Sequence, residues 1–138
     1  MNHHEDTKDT KDWRARANDL SNRIIGAAIE VHRALGPGLL ESTYEECLVD
    51  ELTLQGVSVR RQVPLPISYK GVLLECGYCV DVIVEDLVLL ELKAIERLMP
   101  IHEAQVLTYL RLKKLWLGLL INFNVAILRD GVKRLVNG

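Results

Sequence analysis

The stretch that decides the fold is Gly77-Tyr78-Cys79-Val80-Asp81-Val82-Ile83-Val84-Glu85-Asp86-Leu87-Val88-Leu89-Leu90-Glu91-Leu92-Lys93. Two runs of valine, isoleucine and leucine flank Glu85-Asp86, which reads as a turn. The pattern predicts a strand over 78–84 and another over 87–93. The second is apolar without interruption until its end, the mark of a central strand. Val72 and its neighbours either extend the first strand or form a separate one, broken at Gly77.

Three charged residues interrupt this apolar background. Strand period puts Glu91 and Lys93 on one face. A tight turn at Glu85-Asp86 folds Asp81 back towards Glu91. Two adjacent carboxylates repel unless positive charge lies between them. Lys93 supplies one charge, and a divalent cation is the natural other. Asp81, Glu91 and the Leu92 carbonyl leave most of an octahedral Mg²⁺ shell to water and phosphate. Lys93 then stands ready to orient or deprotonate a water, or to stabilise developing charge. Taken by itself, the strand pattern also fits three surface residues near a turn.

Outward from this pair, the chain reads as alternating helix and strand. Leu20, Ile24, Ala27, Ala28, Val31 and Leu35 recur at helical spacing, predicting a helix over 11–35 that stops at Gly36-Pro37-Gly38. A second helix is expected over 39–54, with Glu41 in its first turn. The run 57–69 alternates and carries Pro64 and Pro66, so it reads as an edge strand. Pro100 opens a third helix to about 114, with Ala104, Leu107 and Leu110 on its expected buried side. Gln105 and Tyr109 share a face of that helix. Residues 116–123 read as another central strand. A short edge hairpin is expected from 125–128 and 132–136, turning at Arg129-Asp130-Gly131. The order is α-α-β-β-β-α-β plus one small strand. The fold class is α/β, a central mixed sheet flanked by helices.

Composition narrows the function. A chain of 138 residues is the size of one domain, able to bury roughly two thirds of its unfolded surface. Residues 1–10 lack periodicity and read as a disordered polar tail, leaving 11–138 as the domain. Net charge is −2, so no massed basic surface announces nucleic acid, although local acid and base can average out. Aromatic residues at 5% argue against extensive base-stacking platforms. Three cysteines make no disulfide scaffold, which points to a reducing cytoplasm. Cys76-Gly77-Tyr78-Cys79 is a lone CxxC without a partner pair, so structural cysteines are expected. The start has no apolar signal core, and no apolar run approaches the roughly 18 residues of a bilayer span, so no membrane partner is expected. The 24 leucines exceed what a small domain easily hides, so a homodimer is expected, through the first helix or the strand at 62–67. P-loop, dinucleotide, HExxH and nucleophile-elbow motifs are absent.

The segment Gly38-Leu39-Leu40-Glu41-Ser42-Thr43-Tyr44 matches the signature of the GxxExxY proteins. The match continues through 62–66, Asp81, Glu91-Leu92-Lys93, Glu103-Ala104-Gln105, Tyr109-Leu110 and 119–124. The chain thereby resembles the PD-(D/E)XK nuclease superfamily, and within it the RecB-like branch. That branch carries a helix Glu, a strand Asp, an ExK and a QxxxY, which stand here as Glu41, Asp81, Glu91/Lys93 and Gln105/Tyr109. The resemblance implies a nuclease-like core and Mg²⁺- or Mn²⁺-dependent hydrolysis of DNA phosphodiesters, with RNA also open. Glu41, Asp81, Glu91 and Leu92 would be the metal ligands. Glu41, Asp81, Glu91, Lys93 and Gln105 would be the catalytic residues, and Gln105, Tyr109, Arg111 and Lys113 would contact substrate. RecB-type nucleases often place a histidine ahead of the Asp. No histidine lies between His32 and His102 here. A catalytically silent nucleic-acid-binding or accessory protein is the alternative expectation.

Overall fold

The computed structural model describes residues 3–138, with side chains from Asp12 onward. Its helices are α1 (His3–Leu35), α2 (Glu41–Leu54) and α3 (Pro100–Lys113). Its strands are β1 (Val59–Pro64), β2 (Ile67–Tyr69), β3 (Val72–Leu74), β4 (Cys79–Val84), β5 (Val88–Lys93), β6 (Leu117–Asn122) and β7 (Val132–Val136). The expected tail falls partly on residues 1–2, outside the described residues. The backbone of 3–10 continues α1, which has no Gly or Pro before Gly26 to stop it.

Five strands form one mixed sheet in the order β1-β4-β5-β6-β7. β5 and β6 are its parallel pair, joined by α3, and the other neighbours are antiparallel. As their apolar runs predict, β5 and β6 are interior strands. One face carries α1 and α2, whose Ile24, Ala28, Tyr44 and Leu48 pack on Val82, Leu90, Leu92 and Leu119. The other face carries α3, whose Val106, Tyr109 and Leu110 pack on Ile83, Leu89 and Leu120. This α/β sandwich supplies two cores from one sheet. No described helix is long and apolar enough to cross a membrane.

Several local expectations change. The run 57–69 divides at Leu65-Pro66, and β2 leaves the main sheet to pair with β3 in a separate ribbon. Of this run, only β1 is an edge strand of the main sheet. Residues 125–128 form no strand; Leu128–Gly131 is a short 3-10 turn that delivers β7 to β6. Asn122 explains this break. Its amide is turned back onto the Ile95 backbone and takes the Asn124 N–H at 3.2 Å, ending the strand. On α3, Ala104 and Leu107 face solvent while Val106 and Tyr109 are buried. Apolar residues occur all round this helix, so spacing does not select a face. Gly118 selects it: a Cβ there would stand 3.0 Å from the Val106 side chain.

Tyr44 fixes how α2 enters the fold. Its ring stacks on Phe123 at 4.5 Å between centroids. Its hydroxyl donates to the Gly36 carbonyl at 2.6 Å and accepts from Leu39 N–H at 3.2 Å. The turn that ends α1 uses left-handed Gly36 and Gly38. Tyr44 therefore pins that turn, and Glu41 follows as the first residue of α2.

Candidate active site

Glu85 and Asp86 both have φ of 53°, the left-handed pair that a tight hairpin turn requires. They set the β4–β5 register at Val84↔Val88, Ile83↔Leu89 and Val82↔Leu90. The next pair along is Asp81 and Glu91, and there the side chains replace the ladder. Asp81 N–H donates to Glu91 Oε2 at 2.8 Å, and Leu92 N–H donates to Asp81 Oδ2 at 2.8 Å. The ten-residue spacing thus brings the two carboxyl groups together as expected.

The second neighbour of β4 also opens at this level. β1 pairs with β4 on either side of Gln62 and Asp81 but not through them. Gln62 has a φ of 46°. Val80 and Val82, two residues apart, lie in opposite cores, so the strand period itself slips across Asp81.

Burial, then the neighbouring Asp81 charge, push the Glu91 carboxyl from its ordinary 4.5 up to about 8. The Asp81 N–H and Lys93 oppose this shift, while Glu41 adds to it. Asp81 is raised chiefly by burial, against the Leu92 N–H. Lys93 is half-buried two residues beyond Glu91. On α3, Gln105 Nε2 donates to the Tyr109 hydroxyl at 3.0 Å. Burial raises the Tyr109 phenol, with Glu91 and Asp81 contributing. Both residues also line a groove of about 630 Å³ between α3 and the β2 end of the ribbon, with Ile67, Tyr78 and Ile101.

The expected gathering of Glu41, Asp81 and Glu91 in one coordination sphere is not present: among the described residues, no three His, Cys, Asp or Glu side chains are grouped to hold a metal. Asp81 and Glu91 each commit one oxygen to a backbone N–H, and Glu41 stands exposed at the helix start. Arg111 lies elsewhere, beside Trp13, Trp116 and Lys114, near the opposite ends of β5 and β6. Lys113 shares that last turn of α3. The length of β5, roughly 16 Å, separates this basic end from Lys93. His32 serves the fold through a 2.7 Å hydrogen bond to the Val125 carbonyl.

Three neighbours escaped the sequence reading. Glu45 is buried, with 7% of its surface exposed. Its Oε1 accepts from Gln62 Nε2 at 2.8 Å, and its Oε2 accepts from Arg61 Nη2 at 2.9 Å. That ion pair raises the Arg61 guanidinium further. The available signal was the spacing of Glu45, four residues after Glu41 and so on the same helix face.

The donor chemistry fits a hard divalent cation. Two neighbouring carboxyl groups, both with raised proton affinity, each keep an oxygen beyond its backbone bond, and Mg²⁺ needs only one or two carboxylates with water and phosphate. A family model described as the PD-(D/E)XK nuclease superfamily matches residues 18–135. No curated protein and no solved structure matches the chain. Since the family match runs from within α1 into β7 and takes in every strand of the sheet, the chain belongs to the PD-(D/E)XK nuclease superfamily.

Proposed function

We propose that this chain is a Mg²⁺- or Mn²⁺-dependent nuclease of the GxxExxY kind, hydrolysing DNA phosphodiester bonds. The observation that carries the reading is the pair of carboxylates at the open end of the β4–β5 hairpin, Glu91 accepting from Asp81 N–H and Asp81 from Leu92 N–H, with Lys93 farther along β5. Asp81, Glu91 and the Leu92 carbonyl would hold the cation, with Glu41 acting through water. When bound, the cation supplies Lewis acidity at the phosphoryl oxygen and a more acidic water. Lys93 offsets negative charge on the phosphate or orients the attacking water. Gln105 and Tyr109 hold the substrate phosphate or brace the site from α3. Arg111 and Lys113 then meet nucleic acid farther along its backbone, where each contact adds salt dependence. RNA remains within the chemistry of the site.

The accessory reading is favoured by one observation, that no three-carboxylate group is assembled among the described residues. Titrating wild type and Asp81→Asn with Mg²⁺ and Mn²⁺ separates the two, followed by assays on single-stranded, duplex and branched DNA. The nuclease reading expects a metal-dependent rise in Tm that Asp81→Asn removes, and cleavage that Asp81→Asn and Lys93→Ala each suppress. Metal binding without cleavage supports the accessory role. We also infer a cytoplasmic homodimer. Three free cysteines are in keeping with a reducing compartment, and exposed Tyr69, Val72 and Leu73 offer apolar surface for a partner copy. A scattering mass of 15.6 kDa at micromolar concentration would reject the dimer.

A further inference from the structure

We propose that Gln62 is a positioning residue for Asp81, and that β1 is bent at this residue to place the Gln62 amide against the carboxylate. The proposal rests on the reading of Asp81 as a metal ligand. Among the described residues, five non-glycine residues have positive φ: Gln62, Lys70, Glu85, Asp86 and Lys114. Four of them sit where the chain reverses or a helix ends. Gln62 alone lies inside a strand, where a left-handed residue interrupts pairing and strains a side-chain-bearing backbone. The strain falls directly opposite Asp81, at the one level where the β1–β4 ladder is broken.

The amide makes two contacts. Gln62 Nε2 donates to Glu45 Oε1 at 2.8 Å and lies 3.4 Å from Asp81 Oδ1. Both partners are carboxylates, which when ionised only accept, so the NH₂ group and not the carbonyl oxygen must face them. Glu45 is itself held. Arg61 binds its Oε2 through Nε at 3.2 Å and Nη2 at 2.9 Å, and reaches Glu46 at 2.9 Å. The amide is therefore anchored to α2 at one end while its second N–H addresses Asp81. Asp81 Oδ2 is engaged by the Leu92 N–H. Oδ1 is the oxygen left for a cation, and Gln62 fixes its direction while leaving it a lone pair. Partners of this kind, behind a metal ligand, commonly change metal affinity by about 10–100-fold when removed.

The test uses the full chain with Gln62→Gly and Gln62→Ala. Each is measured for Tm in chelator and for Mn²⁺ affinity by calorimetry. Both variants lose the amide, but only alanine keeps the penalty at a φ of 46°. The expected result is Mn²⁺ affinity about 10-fold weaker in both, with Gln62→Gly melting above Gln62→Ala. Should Gln62→Ala fail to fold, Gln62→Gly carries the affinity measurement alone. Wild-type affinity in Gln62→Gly overturns the proposal, because Gln62 would then only brace α2 against β1. A higher Tm for alanine than for glycine overturns the strained bend. Absence of Mn²⁺ binding in wild type removes the metal-site reading and this proposal with it. Binding in wild type with unchanged affinity in the variant removes this proposal alone.

Discussion

β4 and β6 are both six-residue interior strands of one sheet, yet they behave differently. Every residue of β6 is buried, and it pairs through six consecutive positions with β5 and five with β7. β4 is nearly as apolar, but Asp81 has no regular ladder partner on either side. An apolar run satisfies its backbone by continuous pairing. The carboxylate of Asp81 inside such a run takes the Leu92 N–H, and Glu91 takes the Asp81 N–H, which opens the ladder. The unbroken half of the sheet is a continuous ladder, and the opened half leaves carboxylate oxygens outside the ladder.

This contrast can be broken from either side. Leu119→Ala on β6, at 0% exposure, should lose roughly 2–5 kcal/mol of stability by denaturant unfolding. The Mn²⁺-induced rise in Tm should persist, because the site lies on the other strands. Gly131→Ala should lose about 1–3 kcal/mol, since its new Cβ would collide with the Asn122 carbonyl that closes β6. Calorimetric scans of the two variants check both values.

The opened half should instead answer to pH. Glu91 carries a carboxyl raised from 4.5 to about 8. Its favourable contribution is complete below the unfolded value and is lost as pH rises through the folded one. In chelator, Tm should therefore fall by several degrees between about pH 5 and pH 9. Asp81, also raised, shifts it the same way. Glu91→Gln should flatten most of this slope, and saturating Mg²⁺ should oppose it. A slope unchanged in Glu91→Gln would place its origin outside the hairpin. Smallest of all, Arg60→Ala removes an exposed pair with Asp86 and should change stability by less than about 1 kcal/mol.

Much of this was legible in the sequence because it depends on local pattern. The apolar runs identify β5 and β6 as interior strands, and the turn at Glu85-Asp86 makes the Asp81–Glu91 meeting a matter of counting. Gln62 was not legible: glutamine in an alternating run gives no sign of a left-handed backbone, which here arises opposite a buried carboxylate. Glu45 was hidden for a related reason, since its burial depends on Arg61 and Gln62 arriving from another element. The buried face of α3 is set by the clearance at Gly118. The expected strand at 125–128 failed because Asn122 satisfies the Ile95 and Asn124 backbone with its side chain.

The left-handed residue in β1 has a consequence outside the site. β1 is an edge of the sheet, and an edge strand offers a row of unpaired amides on which another chain can build. Gln62 interrupts that row at its middle, Arg60 and Arg61 flank it with charge, and Pro64 at its end lacks an N–H altogether. An incoming strand thus meets no flat stretch longer than three residues. The same bend that faces Asp81 guards this edge against strand-on-strand pairing.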